Sequence, residues 1–329
     1  MRIKKEVRKI VASVLAFLMV VSLIPVNSLM TKANAASKTT FEGGKTVEDG
    51  TWKGWTWNVF GSSTDVTKAF ATDTGNGGVT LEVTGDKGKI NGSASDQGLN
   101  TFLYELDKSY DFTITAQAKV DTLAANAQAA FGLTIRDNVG AHGNTAKLTA
   151  DKNNFAFVGG YGNQAASGHG NAGYKTTALA HTRLGESPEV GGTYDLAIQK
   201  VGDSVKLYFN GEVAAECSAD DLITDNAMYV GLFAARNAKV TFNNVKLAYT
   251  QDSSSVKVTT NVTAPKKTTY CAGNTYEDVD LTGFKATVSV DGKEREITAS
   301  DCVVDMSNDP FAEVTDAGKL NLVYLGQTI

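Results

Sequence analysis

The chain has 329 residues, with 31 Lys/Arg against 36 Asp/Glu and 42% hydrophobic residues. Residues 1–35 hold six of the Lys/Arg and one of the Asp/Glu, so the remainder carries 25 positive against 35 negative charges, a net of −10. That acidity excludes nucleic acid and anionic lipid as partners, because both are bound through basic surface.

The first element is not part of the mature fold. "MRIKKEVRK" is basic, "IVASVLAFLMVVSLIP" is apolar, and "ANAA" (Ala33–Ala36) supplies the small residues of a cleavage site. This order predicts a secretory signal peptide over 1–35; a retained anchor is the alternative, and the small-residue exit favours cleavage. No second long apolar run follows, so no membrane span is expected in the mature chain.

The remaining residues, roughly 294, allow about two domains. We place a large domain at 38–250, a Ser/Thr-rich linker at 251–260 and a small domain at 261–329. The large domain opens with "GTWKGWTWNVFGSS", which holds all three tryptophans. On a strand, Trp55 and Trp57 share a face. Trp55 is expected in the core. Trp52 and Trp57 stand between core packing and a platform on which a sugar ring stacks.

Alternating strands follow: "VTLEVT", then "YDFTITAQAKV", with Phe112, Ile114, Ala116, Ala118 and Val120 on one face. Between them, "YELDKSY" approaches the Glu-x-Asp-x-x-Glu pattern of a jelly-roll glucanase. Glu105 and Asp107 fit, but Tyr110 stands at the third position, so the acid/base pair of a glycosidase is broken. "AAFGLTIRDNVG" turns Phe131, Leu133 and Ile135 inward and puts Arg136 on the other face with Thr134 and Gly132. Arg136, and Arg236 in "AARNA", each end a strand. Each either ties a turn through its hydrogen bonds or meets a carboxylate-bearing sugar with its planar fork. Asp73 and Asp137 are candidate oxygen ligands for structural Ca2+, although neither lies in an EF-hand loop.

Residues 159–177, "GGYGNQAASGHGNAGYKTT", are expected to be a long loop, either functional or disordered, with Tyr161 and His169 as candidate ligand contacts. His142 and His181 are also expected on loops. "YDLAIQKVGDSVKLYFNGEVAAEC" predicts a three-strand meander whose Asn210-Gly211 is a strong hairpin signal. "SADDLITDN" allows a single helical turn. "MYVGLFAARN" and "KVTFNNVKLAYT" close the domain. Ten to twelve strands of this kind predict an all-β, two-sheet jelly-roll sandwich.

The small domain contains a hairpin, "FKATVSVDGKEREIT", turning at Asp291-Gly292. Its short strands fit a small Ig-like sandwich. "KLNLVYLGQTI" stops where a closing edge strand is expected, which points to a longer native chain with further domains. Three cysteines cannot all pair within one molecule. Cys217 alternates with Val213 and Ala215 as a small buried residue, while Cys271 and Cys302 are candidates for a disulfide.

Two resemblances rest on these residues. "KTTYCAGNTYEDVDLTGFKATVSVDGKEREIT" with "FAEVTDAGKLNLVYLGQT" resembles a group 3 bacterial Ig-like domain, which implies a spacer or surface-display role. "GWTWNVFGSST", "GDKGKI", "DFTITAQAKV", "AAFGLTIRDNVG" and "YVGLFAARNAKVTFNNVKL" resemble the concanavalin-like β-sandwich modules attached to secreted bacterial pectate lyases and similar polysaccharide-degrading enzymes. The resemblance implies a polysaccharide partner, pectic first, and a place outside a bacterial cell or on its surface. The expectation is a non-catalytic, carbohydrate-binding module with an Ig-like spacer. A lyase or glycoside hydrolase with its site on the jelly-roll face, and a structural or adhesive protein without a sugar ligand, are the alternatives.

Overall fold

A computed structural model describes residues 38–62, 64–90, 97–149, 153–162, 169–175, 179–183, 188–308, 310–312 and 319–329. The expected signal peptide lies outside these residues. The early strands are β1 (Thr39–Thr40), β2 (Trp55–Gly61), β3 (Ala69–Asp73), β4 (Val79–Val83), β5 (Gly98–Asp107) and β6 (Asp111–Leu123). The middle strands are β7 (Ala130–Arg136), β8 (Phe155–Tyr161), β9 (His169–Lys175) and β10 (Leu179–Arg183). The meander is β11 (Thr193–Val201), β12 (Ser204–Phe209) and β13 (Glu212–Ser218), followed by β14 (Ala227–Ala235) and β15 (Ala238–Thr250).

These strands pair into an eight-stranded sheet, β1-β3-β4-β15-β6-β11-β12-β13, and a seven-stranded sheet, β10-β9-β8-β7-β14-β5-β2. Alternation explains the interior. Phe112, Ile114 and Val120 of β6, Leu133 and Ile135 of β7, and Val230 and Leu232 of β14 are all fully buried in one cluster between the sheets. Each such side chain contributes about 1.5–3 kcal/mol by leaving water.

The meander forms as the sequence predicts, with β11, β12 and β13 adjacent. Asn210 and Gly211 turn β12 into β13 with φ of 46° and 80°, the positive pair that a two-residue primed turn needs. The predicted helical turn is α1 (Ala219–Leu222), capped by Ser218, whose hydroxyl accepts from Asp221 N.

One expectation about the strands is overturned. Residues 159–177 are not one long loop: they contain the end of β8 and all of β9, in register from Tyr161↔His169 to Phe155↔Lys175. Glycine, alanine and asparagine hide the strand, because they give no period-2 contrast. The glycines have a packing reason. A Cβ on Gly159 would lie 2.0 Å from Phe131 O and 2.6 Å from Gly132 Cα on the neighbouring strand, so the backbones approach too closely for a side chain.

The outer face of the seven-stranded sheet is covered as well. It carries a second apolar cluster, with Phe60, Leu99, Phe155, Phe157 and Phe233 buried beneath Ile90, Val139 and Leu148. This sheet is therefore buried on both faces over β7 and β8.

The C-terminal part adds two three-stranded sheets. One is β16 (Lys257–Thr263), β17 (Lys285–Val290) and β18 (Lys293–Thr298); the other is β19 (Val303–Asp305), β20 (Asn321–Tyr324) and β21 (Gln327–Thr328). The Asp291-Gly292 turn has φ of 51° and 73°, as its sequence predicts. The stretch expected as a linker carries a 3-10 turn at Ser253–Ser255 and the start of β16. The last residues form a hairpin, β20–β21.

This part lies against the outer face of the eight-stranded sheet. Ala197 and Tyr208 pack with Val303 and Val323. Thr115 donates to Ser300 O at 2.7 Å, and Met306 N donates to Gly211 O at 2.9 Å. Lys38–Ile329 thus forms one compact unit. Among the described residues no helix is long and apolar enough to cross a membrane.

Candidate functional site

The tryptophans are core. Trp52, Trp55 and Trp57 are 4%, 5% and 8% exposed, so none offers a face to a sugar ring, and of the two readings left open for Trp52 and Trp57 the structure shows core packing. Trp55 stacks on Phe102 at 5.2 Å, and Trp52 meets both rings edge-on. Trp57 Nε1 donates to Asn100 Oδ1 at 2.7 Å. The Asn100 amide in turn donates to Phe70 O at 2.9 Å and Glu82 O at 3.1 Å, which carries a hydrogen-bonded path from β5 to β3 and β4 in the opposite sheet. His142 lies edge-on to Trp57 at 5.0 Å, and its Nδ1 accepts from Val59 N. Burial lowers the pKa of that imidazole.

Arg136 is fully buried. It cannot meet a polymer, because residues of the covering layer close over it. Its Nη2 donates to Gln97 Oε1 and, at 2.7 Å, to Asn153 Oδ1, while Nε donates to Asn138 O at 3.2 Å. Phe60 and Phe155 face the guanidinium at 5.6 and 5.0 Å. Desolvation lowers its pKa to about 10, against the opposing pull of Asp137, so the charge survives at neutral pH. Among the described residues Nη1 and Asn153 Nδ2 have no partner. The side chain ties the segments on either side of it, which is the turn-tying alternative of the sequence. Arg236 does the same at the surface: at φ 46° in the β14–β15 turn, its Nε donates to Gly88 O at 3.2 Å.

Tyr161 is buried, with its ring edge-on to Phe157 at 5.8 Å. Its phenol pKa is raised by burial. His169 opens β9 opposite Tyr161; its side chain lies outside the described set. Asp73 accepts from Gly75 N at 2.8 Å, and Asp137 accepts from Asn154 N at 2.9 Å, so both carboxylates fold their own loops. Among the described residues no three His, Cys, Asp or Glu side chains gather as a metal cage.

The candidate pair Cys271 and Cys302 is not bridged: Cys217, Cys271 and Cys302 are free thiols. Cys271 sits in an exposed turn, whereas Cys302 points into the small core with Sγ near Thr298 O. Burial pushes the thiols of Cys217 and Cys302 up to about 12.

What the structure does assemble is a cleft of about 360 Å3 between the outer face of β6 and β11 and the C-terminal part. Asp195 is among its lining residues. Tyr276 donates to Asp195 Oδ2 at 3.1 Å and Gln117 donates to Oδ1 at 3.2 Å, while Asn210 Oδ1 accepts from Asp195 N. Burial raises the pKa of Asp195, opposed by the hydrogen bonds of Tyr276 and Gln117. Burial also raises that of the Tyr276 phenol, helped by the neighbouring carboxylate. Sequence reasoning missed this set, because Asp195 in "TYDLAIQ" looks like any outward polar residue of an alternating strand. It also missed an accessible tyrosine group: Tyr104 and Tyr249 share a hydroxyl contact at 3.2 Å, and Tyr110 lies edge-on to Tyr249.

Fold and cleft together define an antiparallel two-sheet β-sandwich of jelly-roll type, with a solvent-reachable polar cleft on one outer face. The chain is similar to Pectate lyase L of Thermoclostridium stercorarium, with 30% identity over 253 residues, 76% of this chain and 19% of that protein. It therefore spans about a fifth of that relative's length. No protein-family model matches the chain. Solved structures that resemble it include lectin II from Ulex europaeus, at TM-score 0.37 and 11% identity over 64% of this chain and 96% of the lectin. A carbohydrate-binding module from Bacillus subtilis aligns at TM-score 0.32 and 15% identity, over 65% of this chain and 96% of the module. Likeness at this level carries no argument about ligand or activity.

Proposed function

We propose that this protein is a secreted, non-catalytic, polysaccharide-binding module, with its C-terminal Ig-like part serving as spacer, in a larger extracellular protein active on pectin or another plant polysaccharide. The observation that carries the reading is the chemistry of the cleft. It sets a carboxylate, side-chain amides and a tyrosine hydroxyl against an apolar floor, the mixture that sugar hydroxyls and C–H faces require. The similarity to a fifth of a pectate lyase supports the polysaccharide context and an accessory role within a longer chain.

Catalysis has less support. Glu105 and Asp107 are exposed, and Asp107 accepts from Ser109 N at 2.9 Å to close its own turn. In the β5–β14 register Glu105 faces Tyr229 and Asp107 faces Ala227, so neither is paired with a carboxylate of that strand, and Arg136 is sealed from polymer.

The test is calorimetry of the purified chain against pectic, xylan and glucan polymers, with and without Ca2+, beside an assay for unsaturated or reducing-end products. Saturable heat without product supports a binding module. Product would establish the enzyme reading, and a folded sample that binds nothing would leave a structural or adhesive protein.

A further inference from the structure

The cleft has a charge character that narrows its ligand beyond "polysaccharide". Among its lining residues are the carboxylates Asp195 and Glu277, and no Lys, Arg or His. The polar lining groups are neutral or anionic: Gln117, Asn210 and Tyr276 are half-buried beside Asp195, and Glu277 is exposed. Asp195 is held by two neutral donors, Tyr276 and Gln117. A carboxylate offers about four acceptor positions, so two remain for hydroxyl donors. Such charge-assisted bonds are roughly twice as strong as neutral ones.

We propose that this cleft binds a neutral, hydroxyl-rich glycosyl unit through Asp195 and Gln117, and that it rejects uronates. The assignment rests on the reading of the protein as a glycan-binding module and adds the sugar class. A pair of adjacent sugar hydroxyls donates to the Asp195 carboxylate, and the Gln117 carbonyl and the Tyr276 hydroxyl lie alongside. A galacturonate unit in the same place would set its carboxylate beside Asp195 and Glu277 with no cation among the lining side chains to offset them. Like charges brought together away from bulk water are repelled, and specificity against the wrong ligand is built in this way. At about 360 Å3 the space is at the lower end of ligand-pocket size, enough for about one glycosyl unit. One wall comes from the sandwich and the other from the C-terminal part, so the spacer contributes Tyr276 and Glu277 to the site.

The experiment compares binding of the purified chain to neutral galactan, xylan and β-glucan with binding to polygalacturonate, at fixed salt. Asp195→Asn, Gln117→Ala and Glu277→Gln are measured alongside, each with a thermal melt. The expected result is saturable binding to a neutral glycan, weakened about tenfold or more by Asp195→Asn and by Gln117→Ala with folding intact. Glu277→Gln is expected to narrow the gap between neutral glycan and polygalacturonate. Neutral-glycan affinity unchanged in both Asp195→Asn and Gln117→Ala, or a preference for polygalacturonate, overturns the sugar class while leaving a glycan-binding module. No binding to any of the four polymers by folded protein overturns the binding-module reading as well.

Discussion

Asn100 places one amide between the two sheets and uses it three times, on Trp57 Nε1, Phe70 O and Glu82 O. Asn100→Leu leaves the buried indole N–H and both carbonyls without that partner, at about 1–3 kcal/mol for an orphaned group. Trp57→Ala is expected to cost about 3–5 kcal/mol through the cavity. Chemical denaturation reads both, and a Trp57→Ala protein that melts like wild type contradicts the core assignment. Arg136 is a different case, a charge kept inside by three acceptors and two rings. Arg136→Ala is expected to destabilise by about 3 kcal/mol or more, since it empties a large site and orphans its acceptors. Hydrogen exchange should then quicken in the covering residues 137–149 while β6 and β14 stay protected. Uniform loss of protection across both sheets would show that the cover is not a separate layer. The tryptophan and arginine residue types were conspicuous in the sequence. Their burial was not, because the groups that enclose them lie tens of residues away along the chain.

At the scale of elements, the strands that read clearly were those with branched and aromatic residues alternating with polar ones, such as β6 and β12. β9 was illegible because "HGNAGYK" has no such contrast. The β12–β13 turn shows a local signal acquiring a tertiary role. Asn210-Gly211 predicts a hairpin from its positive φ alone, but the position also faces the C-terminal part. A Cβ on Gly211 would stand 2.6 Å from Tyr276 and 2.7 Å from Met306. Gly211→Ala is therefore expected to cost more than turn strain, about 1–3 kcal/mol, and to loosen the docked part. Limited proteolysis should cut the region after Thr250 faster in the variant. An unchanged cleavage rate would mean that the contact does not hold the parts together.

At the scale of the whole molecule, the two parts expected to be joined by a linker share an interface of hydrogen bonds and apolar contacts, in which Tyr276 donates to Asp195. Burial raises the pKa of Asp195 above the ordinary carboxylate value of 3.8. The native state therefore holds this proton more tightly than the unfolded chain does, and the linked stability is present below the unfolded pKa and lost as pH rises through the folded one. Asp195→Asn is expected to be more stable than wild type at neutral pH, with the two melting curves converging in acid below the carboxylate range. A constant gap across that range would show that burial does not govern this carboxylate. Sequence alone determined the all-β class, the meander, both primed turns and the broken carboxylate pattern. Each depends on residues within a few positions of one another, where alternation and backbone preference act directly. Only the tertiary structure decided that the tryptophans are core, that Arg136 is sealed, that the cysteines stay apart, and that Asp195, Gln117 and Tyr276 meet. Those outcomes depend on which strand faces pair and what covers them, and the burial energy that selects them comes from residues far apart in the chain, such as Gln117 and Tyr276, about 160 positions apart.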